Sequence, residues 1–89
     1  MKNAVGIPPT TAERVLFMKI TSAETFGKAL RQRRKELGYT QGYLSEFTGL
    51  SVSFLSELEN GKKTIQLEKA IQVAMLLGLD LQMEVRGRS

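Results

Sequence analysis

Five side chains between Ser51 and Glu57 have the types and spacing to read hydrogen-bonding patterns. Wound as a helix, the segment puts Val52, Ser53, Ser56 and Glu57 on one side, just after Ser51, and Leu55 and Leu58 on the other. A serine hydroxyl can donate or accept, a carboxylate accepts, and valine offers methyl groups. At a DNA base edge these capacities suit different partners: Ser either kind of group, Glu the N4 donor of cytosine, Val a thymine methyl. Read blandly, the same set is a solvated helix face. Phe54 has three open placements: the core, the preceding helix, or a sugar-phosphate surface.

A second set suits phosphate. Gln41, Ser51, Lys62 and Lys63 flank this segment. Helix N-termini beginning at Gln41 and Val52 would add backbone N–H donors for anions. The net charge of +4 and the pI near 9.7 fit an anionic partner, although a small protein gains solubility from the same charge.

Other chemistry is missing its residues. The 89-residue chain has no Cys and no His, so disulfides, a structural zinc site and a Ser-His or Cys-His nucleophile pair have no basis. It has no Gly-rich phosphate loop and no paired-carboxylate pocket, so it reads as neither an enzyme nor a cofactor carrier. No apolar run approaches the roughly 18 residues of a membrane span. The N-terminal stretch MKNAVGIPPTTAER is broken by Pro8 and Pro9 and lacks a signal-peptide core, so a cytoplasmic protein is expected.

The length fits one small domain whose modest core gains from oligomerisation. Residues 1–20 read as an N-terminal arm, with the Val15 to Ile20 stretch open between strand and helical turn. A first helix follows, with Thr21 and Glu24 as a capping box, Phe26, Ala29, Leu30 and Leu37 inward, and Gly38 as its stop. Arg31, Arg33 and Lys35 lie on its exposed side, fitted equally to phosphates or to solvation. Thr40 caps a second helix, Gln41 to about Thr48, with Leu44 and Phe47 inward and Ser45 small enough for a close crossing. Gly49 supplies the turn, and Ser51 caps the third helix, which runs to about Glu59. A fourth helix, about Gln66 to Leu77 and capped by Thr64, is apolar nearly all round and therefore needs cover on several sides. After Gly78, residues 79–85 alternate strictly. Leu79, Leu81, Met83 and Val85 share one face, and Asp80, Gln82 and Glu84 the other. A lone strand leaves its backbone unpaired, and pairing with the same strand of a twofold-related copy is the simplest remedy. A homodimer with an intersubunit ribbon follows.

LGYTQGYLSEFTGLSVSFLSELENGKKT resembles the helix-turn-helix of lambda-repressor-like (Xre family) domains, over about Phe26 to Leu77. The marks are Gln41 opening the second helix, Gly49 in the turn, and Leu-Glu-Asn-Gly-Lys at 58–62. The resemblance implies that Val52, Ser53 and Glu57 read bases. It also implies that Arg34 and Glu59 form an internal salt bridge holding the first helix against the third. The chain departs from the pattern in lacking the Arg or Gln that many relatives carry at the positions of Val52 and Ser53, which removes the strongest bidentate base contacts. Specific affinity would then be modest, or rest on both subunits and on DNA deformation. The whole layout, through RQRRKELGYTQ, SFLSELENGK and LGLDL, further resembles antitoxins of HipBA-type toxin–antitoxin systems. That likeness implies autoregulation of an operon and a Ser/Thr kinase toxin as partner.

The expected architecture is all-α: a four-helix, lambda-repressor-like domain over residues 21–78, with a C-terminal dimerisation strand and tail over 79–89. The expected function is sequence-specific repression through a double-stranded DNA operator. The alternative is a protein-interaction module in which DNA binding is secondary.

Overall fold

The computed structural model describes residues 17–87, which hold four helices: α1 Ala23–Glu36, α2 Gln41–Thr48, α3 Val52–Glu59 and α4 Leu67–Leu76. Most of the proposed N-terminal arm lies outside the described residues. Within 17–20 there is neither strand nor helix, and Phe17 is exposed.

Each helix contributes to one core. Leu30 comes from α1, Leu44 from α2, Leu55 and Leu58 from α3, and Ala70, Val73 and Ala74 from α4, with Leu77 just beyond it. Burying a leucine fully is worth about 1.5–3 kcal/mol, so these few residues carry most of the stability of so small a domain. Around them pack Phe26, Leu37, Tyr39, Leu50, Phe54, Ile65 and Leu79. This settles Phe54: it lines the core edge, with the Lys69 ammonium 5.9 Å from its ring centroid.

Both α1 and α2 pack against α3. The α1–α3 crossing is close because Gly27 has no side chain. A Cβ there would lie 2.6 Å from the carbonyl oxygen of Glu59 and closer still to that of Leu58. This crossing is separate from the one between α2 and α3, for which the sequence offers Ser45 as the small residue. The α2–α3 turn uses Gly49 at φ 81°, a left-handed conformation that costs other residues strain. Thr48 finishes the turn: its hydroxyl donates to the Leu44 carbonyl at 2.7 Å and accepts from the Leu50 N–H at 3.0 Å.

Several sequence expectations require correction. The capping box of α1 is Ser22 and Thr25, not Thr21 and Glu24. The Ser22 hydroxyl accepts from the Thr25 N–H, and the Thr25 hydroxyl accepts from the Ser22 N–H, each at 3.0 Å. The shorter Thr side chain makes the return contact usually made by Glu or Gln. Thr64 caps nothing. The Ile65 N–H bonds back to the Lys62 carbonyl, the intervening residues form a turn, and α4 begins after Gln66 with no side-chain cap.

Phe47 is 62% exposed rather than inward. It stands three residues from the buried Leu44, about 60° round the helix on the outward side. There it stacks on Tyr43, which in turn meets Tyr39. Arg33 is not free for solvent or phosphate: its Nε donates to the Leu77 carbonyl at 2.9 Å, tying α1 to the end of α4.

Residues 79–85 form no strand among the described residues. A ladder needs a second strand, and there is none among the described residues. Leu79, expected at the dimer ribbon, is partly buried against its own domain. Its N–H bonds the Ala74 carbonyl while the Gly78 N–H bonds that of Met75, a Schellman ending, and its side chain packs on the core. Leu81, Met83 and Val85 stay exposed, Met83 almost completely. Leu67, Met75 and Leu76 of α4 are exposed as well, so the apolar circumference of that helix is covered on one side only.

Candidate nucleic-acid interface

The outward face of α3 is held in place from behind. Arg34 of α1 and Glu59 at the end of α3 are 7% and 8% exposed and form a two-pronged ion pair. Arg34 Nε donates to Glu59 Oε2 at 2.6 Å, and Nη2 to Oε1 at 2.9 Å. The third prong, Nη1, donates to the Tyr39 carbonyl at 2.8 Å, so one guanidinium joins α1, the α1–α2 turn and α3. Its planar fork suits this geometry as a lysine ammonium would not. The hydrogen bonds from Arg34 to Glu59 raise the arginine pKa above its ordinary value against the opposing effect of burial, with the Glu59 charge adding to the rise.

Gln41 joins the same network, its Nε2 donating to Glu59 Oε1 at 3.0 Å. Nothing in the local spacing signals this contact, which spans 18 residues. It leaves the first residue of α2 fixed and only partly buried, and among the described residues its second amide hydrogen and its side-chain carbonyl have no partner.

On the other side of α3, Val52, Ser53 and Glu57 are exposed. Ser51 is exposed too, and its hydroxyl oxygen accepts from the Phe54 N–H at 3.0 Å, capping α3; its O–H hydrogen remains to donate to an outside partner such as a phosphate oxygen. Ser56 is half-buried and accepts from Asn60 Nδ2 at 3.3 Å. Glu57 pairs with Lys62 at 3.2 Å, each side chain about half exposed. A candidate base-edge group and a candidate phosphate group thus neutralise each other in the isolated chain. Lys63 is exposed beside them. The arrangement is an exposed, largely polar face that starts at the N-terminus of α3 and is followed by the cations Lys62 and Lys63.

The helix-turn-helix family model HTH_3 matches residues 30–83. The chain belongs to the helix-turn-helix family. An uncharacterised HTH-type transcriptional regulator of Haemophilus influenzae is 36% identical over 80 residues, spanning 90% of this chain and 78% of that one. A second such regulator, from Sinorhizobium fredii, is 32% identical over 69 residues, spanning 78% of this chain and 91% of its own. Among solved structures, a HipB–O4 20mer complex is similar with a TM-score of 0.71 at 24% identity, over 79% of this chain and 99% of that one. A variant HipB in complex with an O2 20mer gives 0.72 at the same identity, over 79% and 97%. These likenesses establish the four-helix fold. No helix among the described residues is long and apolar enough to cross a membrane.

Proposed function

We propose that this helix-turn-helix protein is a sequence-specific DNA-binding transcriptional repressor that works as a homodimer. The observation that carries the reading is the exposed polar face of α3, presented by a helix whose inner end is anchored through Arg34 and Glu59. Val52, Ser53 and Glu57 meet base edges, and Ser56 supports that face from its half-buried position. Gln41, Ser51, Lys62 and Lys63 meet phosphates. The names of its relatives as transcriptional regulators and the DNA in the HipB complexes support this reading.

Dimerisation uses Leu81, Met83 and Val85 in a ribbon with the partner copy, close to the pinned Leu79, and covers apolar side chains that a single chain leaves exposed. Two α3 helices then lie about 34 Å apart, one turn of DNA, on a pseudo-palindrome. The likeness to HipB favours an antitoxin that represses its own operon and binds a Ser/Thr kinase-like toxin. Gel shifts with its own promoter test the repressor: binding saturates, exceeds that to random DNA and weakens as salt rises. Equal affinity for random DNA at moderate salt refutes it.

A second reading, a protein-interaction module with weak DNA binding, is favoured by the exposed Tyr43 and Phe47 on α2 and by the absence of Arg or Gln at positions 52 and 53. Capture of a kinase without detectable operator binding distinguishes it.

A further inference from the structure

Beside the Arg34–Glu59 pair, the surface forms a shallow cleft where α1, the start of α2 and the end of α3 meet. It is lined by Glu24, Lys28, Arg31, Gln41, Glu59 and Asn60. Lys28 and Arg31 are exposed, stand three residues apart on α1 and have no ion-pair partner among the described residues. Glu59 presents little net charge there, because Arg34 neutralises it at hydrogen-bonding distance. That leaves Glu24 as the single opposing charge. Gln41 and Asn60 complete the lining with amide donors. Two unpaired cations and two amides around a cleft have the chemistry to hold a phosphodiester group.

Resting on the DNA-binding reading above, we propose that Lys28 and Arg31 hold a backbone phosphate outside the base pairs reached by α3. Gln41 at the start of α2 and Asn60 just past α3 line the same cleft as Lys28 and Arg31, so a DNA strand lying along those two helix ends is carried on to α1. The contact adds affinity and fixes the tilt of the domain on the duplex without reading sequence. It compensates for the missing Arg or Gln at positions 52 and 53. Lys35 carries the same charge on the same helix but does not line the cleft; it lies with Gln32 and Glu36 on an adjoining surface that Lys28 and Arg31 also border.

The test measures binding of the full chain to a duplex carrying its own promoter across a salt series. The double variant Lys28→Gln/Arg31→Gln should lower the slope of log affinity against log salt by about one unit, and each single variant by less, since one cation still faces the phosphate. Arg31→Lys should retain the wild-type slope, and Lys35→Gln should leave it unchanged. Ethylating the outermost phosphates of the site should weaken the wild type but have no further effect on the double variant. The inference is overturned if the wild type binds its promoter and the double variant keeps the same slope. It is overturned equally if Lys35→Gln lowers the slope as much as the cleft variants, since net charge alone would then account for the loss. If the wild type does not bind its promoter at all, the repressor reading fails and takes this inference with it. Circular dichroism of the folded variants shows whether a changed slope belongs to the intact domain.

Discussion

Glu57 and Glu59 sit two residues apart on one helix and do opposite work. Glu59 faces inward, where Arg34 grips both its oxygens and Gln41 adds a third bond. Glu57 faces outward, with one Lys62 contact at 3.2 Å in water. A buried pair is hard to remove because either partner left alone is an unpaired charge in a poor solvent. An exposed pair gains little, because water and salt compete for both ends. The inner carboxylate therefore determines where α3 sits, and the outer one can exchange partners with almost no effect on the fold.

Breaking the inner pair has the largest expected effect. Glu59→Ala or Arg34→Ala should each cost roughly 3–5 kcal/mol in denaturant unfolding. The double variant should cost clearly less than the two singles together, which a double-mutant cycle measures directly. Additive losses would show that the pair is not coupled. Because the arginine pKa is raised in the folded state, its contribution is full below the unfolded value and fades only as pH climbs through the higher folded one. The stability gap between wild type and Arg34→Ala should therefore not narrow between neutral pH and about pH 10.

Next in size is the backbone contact beneath that pair. Gly27→Ala should destabilise by roughly 1–3 kcal/mol, because the new methyl meets the Leu58 and Glu59 carbonyls and two helices must part. A melting temperature equal to wild type would show that the crossing has slack. Ser51→Ala, which removes the α3 cap, should cost about 1 kcal/mol by the same measurement. The outer pair comes last. Glu57→Gln should change stability by no more than about 0.5 kcal/mol while altering operator preference in gel shifts. A large stability loss would make Glu57 a structural residue like its neighbour.

What the sequence made legible follows from the range of each interaction. The bounds of α2 and α3 and the caps at Thr40 and Ser51 were readable because a cap acts within three residues. Leu55 and Leu58 were readable because helical period alone brings them together. Among the candidate site residues, the exposure of Val52, Ser53 and Glu57 followed from the same period. The contacts of Arg33 with the Leu77 carbonyl and of Gln41 with Glu59 were not legible, since they join positions 44 and 18 residues apart. Phe47 misled because an eight-residue helix with one fully buried side chain defines its inner face poorly. Ser22 is hard to read as the cap because Thr21, one position earlier, forms the more usual pattern with Glu24. Gly27 gave no signal beforehand: a glycine inside a helix looks like a weakness until the opposing carbonyls are in place.

The Schellman ending of α4 has a mechanical consequence. With Leu79 locked to its own domain, only one residue separates that anchor from Leu81, the first free apolar side chain of the tail. At about 3.3 Å per residue the joint is under 7 Å long, too short to act as a tether. In the proposed dimer the two reading heads would behave as jaws of a fixed caliper, tolerating little error in the spacing between half-sites.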